Sequence, residues 1–111
     1  RPDTRVTTLR RPAPIFAALG DDTRLTLLTR LSEASPASIA RLAQGSPLTR
    51  QAITKHLRVL QRAGLVRAAR RGRESLFALE PRSLDEARRS LDAISRQWDD
   101  ALTRLKAFAE Q

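Results

Sequence analysis

In the first two thirds of the chain the apolar residues recur three and four positions apart, which predicts helices with one buried face each. Proline, glycine and capping residues separate the segments. The predicted helices cover residues 14–19, 23–33, 36–44 and 50–63, and a glycine follows the first and the last of them. The residues expected to begin these helices are Pro14, Asp21 or Asp22, Ser35 with Pro36 in the first turn, and Thr49.

The fourth predicted helix has two faces of opposite character. Its apolar face carries Ile53, Leu57 and Leu60, which are spaced by four and three residues. The opposite face is polar and basic throughout. It consists of Arg50, Gln51, Thr54, Lys55 and Arg58.

After Gly64 the apolar spacing changes from helical to alternating. This change predicts two short strands, over residues 65–70 and 75–79. The segment 71–73 between them, with the sequence Arg-Gly-Arg, is expected to form a hairpin turn because glycine permits a positive φ. Pro81 ends the hairpin. The elements together predict a fold that is mainly α with a small β-hairpin.

A last helix is predicted to begin at Ser83 and to extend towards the C-terminus. Glu86, three residues later, completes the pattern of a capping box. Apolar residues then repeat in alternating steps of three and four, which makes a heptad seam. We expect part of this helix to pack on its own domain and the rest to pair with a second copy. The seam residues are Leu84, Ala87, Leu91, Ile94, Trp98, Ala101, Leu105 and Phe108.

Composition and charge restrict the classes of function that the chain can have. The 111 residues are enough for one domain with a modest core, and the net charge is +9. Between residues 49 and 73 there are eight lysines and arginines and no acidic residue, which indicates a surface that binds a polyanion. No segment resembles a membrane span or a signal peptide, so a cytoplasmic protein without a membrane partner is expected.

The order of helix, break, helix and basic hairpin is that of a winged helix-turn-helix, in which the second helix enters the major groove of double-stranded DNA. Gln51 has the amide to read adenine, Arg50 has the fork to read guanine, and Thr54 can contact either base. Lys55 and Arg58 are better placed for phosphates, and Thr49 and His56 are expected among the DNA contacts as well. In the hairpin, the residues expected to contact the adjacent backbone or minor groove are Arg70, Arg71 and Arg73.

Three segments resemble the ArsR-type (ArsR/SmtB-like) winged helix-turn-helix regulators. Residues 15–25 (IFAALGDDTRL) are similar to the opening of these repressors, and residues 49–60 (TRQAITKHLRVL) with 63–66 are similar to their recognition helix and its exit. Residues 72–77 (GRESLF) are similar to their wing. The resemblance implies a homodimeric repressor on an inverted-repeat operator, with helices at both ends of the chain, including Ile15 and Phe16, at the dimer interface.

On this basis the chain divides into an N-terminal arm (1–12), a DNA-binding domain (13–82) and a C-terminal dimerisation helix (83–111). The resemblance does not extend to the metal sensors of the family. The chain has no cysteine, and the terminal helix offers aspartates and glutamates but no histidine, so the family's site for a soft or borderline metal is absent and no metal and no cofactor are expected. The acidic residues are interpreted as a solvated face opposite the apolar stripe, and a carboxylate site at the dimer seam is the weaker alternative. Whether a small-molecule effector is sensed is left open.

The role of His56 and the possibility of an enzyme are the last points to decide from the sequence. His56 is the one histidine of the chain, and we expect it to be packed or to contact a phosphate rather than to bind a metal. No arrangement of nucleophile and base and no glycine-rich phosphate loop is present, which argues against an enzyme. The alternative is an architectural protein that binds DNA without sequence preference and recruits a partner through its heptad helix.

Overall fold

The computed structural model describes residues 12–111, so the predicted arm lies outside the described residues apart from Pro12. Five helices and three strands make up the described chain. In chain order they are α1 (Ala13–Leu19), α2 (Asp22–Ala34), β1 (Ala37–Ser38), α3 (Ile39–Ala43), α4 (Arg50–Arg62), β2 (Val66–Arg71), β3 (Glu74–Leu79) and α5 (Pro81–Ala109).

Side-chain caps fix where the central helices begin. Asp21 caps α2 by accepting a hydrogen bond from the backbone N–H of Arg24 at 3.0 Å. Thr49 caps α4 in the same way, with Oγ1 accepting from the N–H of Ala52 at 3.1 Å. Each oxygen satisfies one of the N–H groups that have no partner inside the helix, so both predicted caps are confirmed.

The predicted start of the third helix is wrong. Ser35 is the C-terminal cap of α2, and the side chain that caps α3 is Ser38, which accepts from the N–H of Arg41. Ala37 and Ser38 form β1, which pairs with the free edge of β3 and places Ala37 opposite Phe77. The result is a three-stranded antiparallel sheet in the order β1, β3, β2. The sequence analysis did not predict the third strand.

The hairpin of β2 and β3 is confirmed. Its register places Val66 opposite Leu79 and Arg71 opposite Glu74, which leaves Gly72 and Arg73 as the turn. Gly72 has a φ of 62°, in the left-handed region where a side chain would be strained. The tip of the hairpin therefore has a fixed direction.

One hydrophobic core lies between α1, α2, α3, α4 and the base of the hairpin. The predicted inner face of α4 is confirmed, since Ile53, Leu57 and Leu60 are at most 1% exposed. Leu31 of α2 and Leu65, just before β2, are fully buried beside them. Helix α4 is therefore held rigidly along one side, and its opposite side is left to the solvent.

Helix α5 begins two residues earlier than predicted, at Pro81. Glu80 is its N-terminal cap, so Ser83 lies within the first turn rather than at the cap position. The early part of the helix packs on the core through Leu84 and Ala87, whereas the side chains from residue 95 onwards are all exposed. Among the helices of residues 12–111, none has an apolar stretch long enough to cross a membrane.

Candidate nucleic-acid interface

Helix α4 presents the polar face that the sequence predicts. With Ile53, Leu57 and Leu60 turned into the core, the opposite side of the helix faces the solvent. The N-terminus of the helix carries N–H groups and the positive end of the helix dipole, which together favour a phosphate. The exposed side chains of the predicted reading face are Thr49, Arg50, Gln51, Lys55 and Arg58.

Two predicted contact residues of α4 are half-buried instead. Thr54 donates its hydroxyl hydrogen to the carbonyl oxygen of Arg50 at 2.7 Å, so the hydroxyl retains only its acceptor capacity for a base. His56 lies towards α2, with Nδ1 3.8 Å from Oδ2 of Asp21. The structure thus places His56 in a contact between the two helices, at the edge of the reading face rather than at its centre.

The carboxylate of Asp21 is stabilised in its charged form. The hydrogen bond from the backbone N–H of Arg24 lowers the pKa of Asp21 below its ordinary value of 3.8, and the positive charge of Arg24 acts in the same direction. The same arginine donates Nε–H to the carbonyl oxygen of Ala18 at 2.6 Å. A chain of polar contacts therefore joins the end of α1, the start of α2 and the flank of α4.

The hairpin carries the second group of predicted contacts. Arg70, Arg71 and Arg73 are all exposed, at the end of β2 and in the turn. Glu74 lies directly opposite Arg71 in the hairpin register. These exposed cations lie at the end of β2 and in the turn that Gly72 permits, a position that suits contact with a nucleic-acid backbone.

Two further exposed cations lie on α4 and β2 and were not among the predicted contacts. Arg62 lies in the last turn of α4 and Arg67 on β2, and both are exposed. Arg67 also lies 3.7 Å from Glu80, the residue that caps α5, so this pair links the hairpin to the last helix. The eight basic residues counted in the sequence between positions 49 and 73 already include Arg62 and Arg67, and all eight are exposed in the structure.

The predicted interface residues at the two ends of the chain fall into three groups by burial. Ile15 and Ala87 belong to the core of the single protomer, with 4% and 6% exposure, and have little surface left for a second copy. Phe16, Leu84 and Ile94 are half-buried. The remaining seam residues are exposed, namely Leu91, Trp98, Ala101, Leu105 and Phe108.

Within residues 12–111, no three histidine, aspartate or glutamate side chains come together in a group that could hold a metal ion. A helix-turn-helix that presents a polar, basic second helix, followed by a basic hairpin, defines the class of the protein. It is a winged helix-turn-helix DNA-binding protein.

Comparisons with known proteins specify the class further. Residues 19–68 match the family model described as a helix-turn-helix domain. The chain is 36% identical over 98 residues to the HTH-type transcriptional regulator Rv2034 of Mycobacterium tuberculosis, covering 88% of each protein. The structure of an ArsR-like transcriptional regulator from Rhodococcus sp. RHA1 superposes with a TM-score of 0.77 at 40% identity, covering 93% of this chain and 96% of that one.

A more distant match concerns the fold alone. The homodimeric winged helix-turn-helix DNA-binding domain Mb0332 from Mycobacterium bovis superposes with a TM-score of 0.67 at 22% identity, covering 94% of this chain and 93% of the fragment. From the nearer matches, the chain belongs to the ArsR-type winged helix-turn-helix transcriptional regulators. It is a DNA-binding regulator of transcription and not an enzyme.

Proposed function

We propose that the protein is a homodimeric repressor that binds an inverted-repeat operator in double-stranded DNA. The observation that carries this proposal is the exposed surface formed by α4 and the hairpin, in which all eight lysines and arginines of residues 49–73 face solvent. A helix of this kind fits the major groove, and a basic hairpin beside it fits the flanking backbone. As a regulator of transcription it would act in the cytoplasm, on the chromosome.

The side chains of this surface divide into two roles. Arg50 and Gln51 lie in the first turn of α4, where a helix that enters the groove by its N-terminus brings side chains to the base edges. Lys55 and Arg58, farther along the helix, are assigned to phosphates. The cations of the hairpin, Arg70, Arg71 and Arg73, would add affinity that does not depend on sequence.

The proposed dimer rests on the outer part of α5. Trp98 is 62% exposed, Leu105 61% and Phe108 74%, and all three lie on the heptad seam. Large apolar side chains in a row along a solvated helix favour burial by a second helix. The homodimeric state of the Mycobacterium bovis domain supports a second copy of this chain as the partner. Two copies related by a two-fold axis would present two α4 helices to two half-sites.

The experiment that tests the proposal is selection of bound sequences from a random duplex pool at near-physiological salt. We expect enrichment of one inverted repeat, with half-site centres about 10–11 base pairs apart. Binding to that repeat should be about 10³-fold or more tighter than binding to random duplex. If no sequence is enriched and binding collapses as the salt concentration rises, the protein is an architectural DNA binder and the proposal is wrong.

A further inference from the structure

Arg30 of α2 fixes the turn that leads into helix α4. Its Nη1 donates hydrogen bonds to the carbonyl oxygens of Leu42 and Gln44, both at 2.7 Å. These carbonyls lie at the C-terminal end of α3, where a cation is favoured by the helix dipole. One nitrogen of the guanidinium thus supplies both bonds.

The other edge of the guanidinium remains unused. Within residues 12–111 the hydrogen bonds of Arg30 come from Nη1, which leaves Nε and Nη2 without a protein acceptor. The N–H groups of Nε and Nη2 lie side by side and point in the same direction. This paired edge matches the two oxygens of a carboxylate in bidentate geometry.

Arg30 lines a cavity of about 230 Å³ between α2, α3 and the turn before α4. Its apolar lining consists of Leu48, which is 36% exposed, and of the core residues Leu27, Leu42 and Ile53, which are at most 3% exposed. The hydroxyl residues Thr23 and Thr26 lie on its polar side. At roughly 30 Å³ per water molecule, the space corresponds to an organic molecule of about seven to eight non-hydrogen atoms. The cavity is therefore lined by an arginine with an unused guanidinium edge and by an exposed leucine.

We propose that this cavity binds a small organic carboxylate with a branched apolar body. The carboxylate accepts hydrogen bonds from Nε and Nη2 of Arg30, and the hydrocarbon part lies against Leu48. A bare phosphate or sulfate fits less well, because it would leave the Leu48 side chain in contact with water. None of its lining residues is among the proposed DNA contacts, although residues 45–48 of the lining form the turn that enters α4.

The test compares isovalerate with isovaleramide on the full-length wild-type chain, in a buffer free of other carboxylates. The two probes have the same shape, and only isovalerate offers two acceptor oxygens and a charge. Calorimetry or amide chemical shifts should show isovalerate binding at least tenfold more tightly, as for a charge-assisted bidentate contact at a partly exposed site. Equal affinities of the two probes, or no binding of isovalerate, would overturn the proposal.

Two matched variants locate the binding. Leu48→Glu places a negative charge at the rim of the cavity, on a side chain that is already 36% exposed, and should weaken isovalerate binding at least tenfold. Leu25→Glu makes the same change on an exposed residue of α2 outside the cavity and should leave binding unchanged. The same affinity in both variants would mean that isovalerate binds elsewhere and would overturn the proposal.

The alternative occupant of the unused edge of Arg30 is a phosphate of the DNA backbone. The Arg30→Gln variant distinguishes carboxylate binding from contact with DNA. If the carboxylate site is correct, Arg30→Gln abolishes the preference for isovalerate over the amide and leaves the salt dependence of DNA binding unchanged. If isovalerate fails to bind the wild type and Arg30→Gln reduces the salt slope by about one contact, the edge serves DNA and the proposal is wrong.

Discussion

The substitution Trp98→Asp tests the proposed dimer at a large, exposed residue of its seam. Trp98 is 62% exposed in the protomer. Since a tryptophan buries about 150–250 Å² when fully covered, roughly 100–150 Å² of this side chain is available to a second copy. At about 25 cal/mol per Å², that surface contributes up to ~2.5–4 kcal/mol for each of two copies.

Association does not recover the whole of this free energy, because binding also orders side chains and removes rotational freedom. A central tryptophan at an interface nevertheless contributes at least about 2 kcal/mol. Two symmetric copies therefore lose at least ~4 kcal/mol, which raises the dimer dissociation constant about a thousandfold. The aspartate adds the free energy of desolvating a charge, so the variant should be monomeric at micromolar concentration.

Sedimentation velocity over a range of concentrations measures this change directly. Thr103→Asp is the matched control, because it places the same charge on an exposed position of α5 that faces away from the seam. Both variants should keep the helical content of the wild type, since neither side chain belongs to the core. If Trp98→Asp sediments as a dimer and still binds the operator, α5 is not the dimer contact.

Three further predictions concern single side chains. Gln51→Ala should lower the preference for the operator over one-base variants by about 1–3 kcal/mol. Arg71→Ala should instead weaken binding to every sequence alike and reduce the slope of affinity against salt concentration by about one contact. If both variants lose only general affinity, α4 does not read bases. Leu57→Ala, at a fully buried position, should lower the free energy of unfolding, measured in urea, by about 2–5 kcal/mol. The control is Arg58→Ala on the exposed face, whose free energy of unfolding should stay within about 0.5 kcal/mol of the wild-type value. Asp21→Asn removes a carboxyl whose pKa is lowered in the folded state, so its stabilising contribution is present above pH 3.8 and is lost as the pH falls through the lowered pKa. The difference in stability between wild type and Asp21→Asn should therefore disappear in acid, and a difference that stays constant down to pH 2 would exclude this linkage.

Features set by local sequence could be predicted, and features set by distant contacts could not. The limits of α4 follow from a capping threonine, a regular apolar spacing and a glycine, all within one segment. The hairpin follows from alternation around Gly72. Strand β1 has only two residues, which pair with the free edge of β3. A strand this short has no periodic pattern in the sequence from which it could be predicted.

The same distinction holds for the candidate site. The outward face of α4 is the complement of its buried face, so its exposed cations could be located from spacing alone. The inward position of His56 depends on Asp21, which lies on another helix. The two hydrogen bonds from Arg30 span 12 and 14 residues of sequence, and no motif marks them. Long-range polar contacts of this kind became visible only in the folded chain.

The most direct test of the central claim is the affinity for the selected operator after insertion of five base pairs between its half-sites. This insertion rotates one half-site by about half a turn of DNA and leaves every base contact within each half-site unchanged. A dimer that presents two α4 helices to one face of the duplex should lose most of its specific affinity and regain part of it with ten inserted base pairs. Equal affinity at all three spacings would contradict a two-fold dimer that reads an inverted repeat.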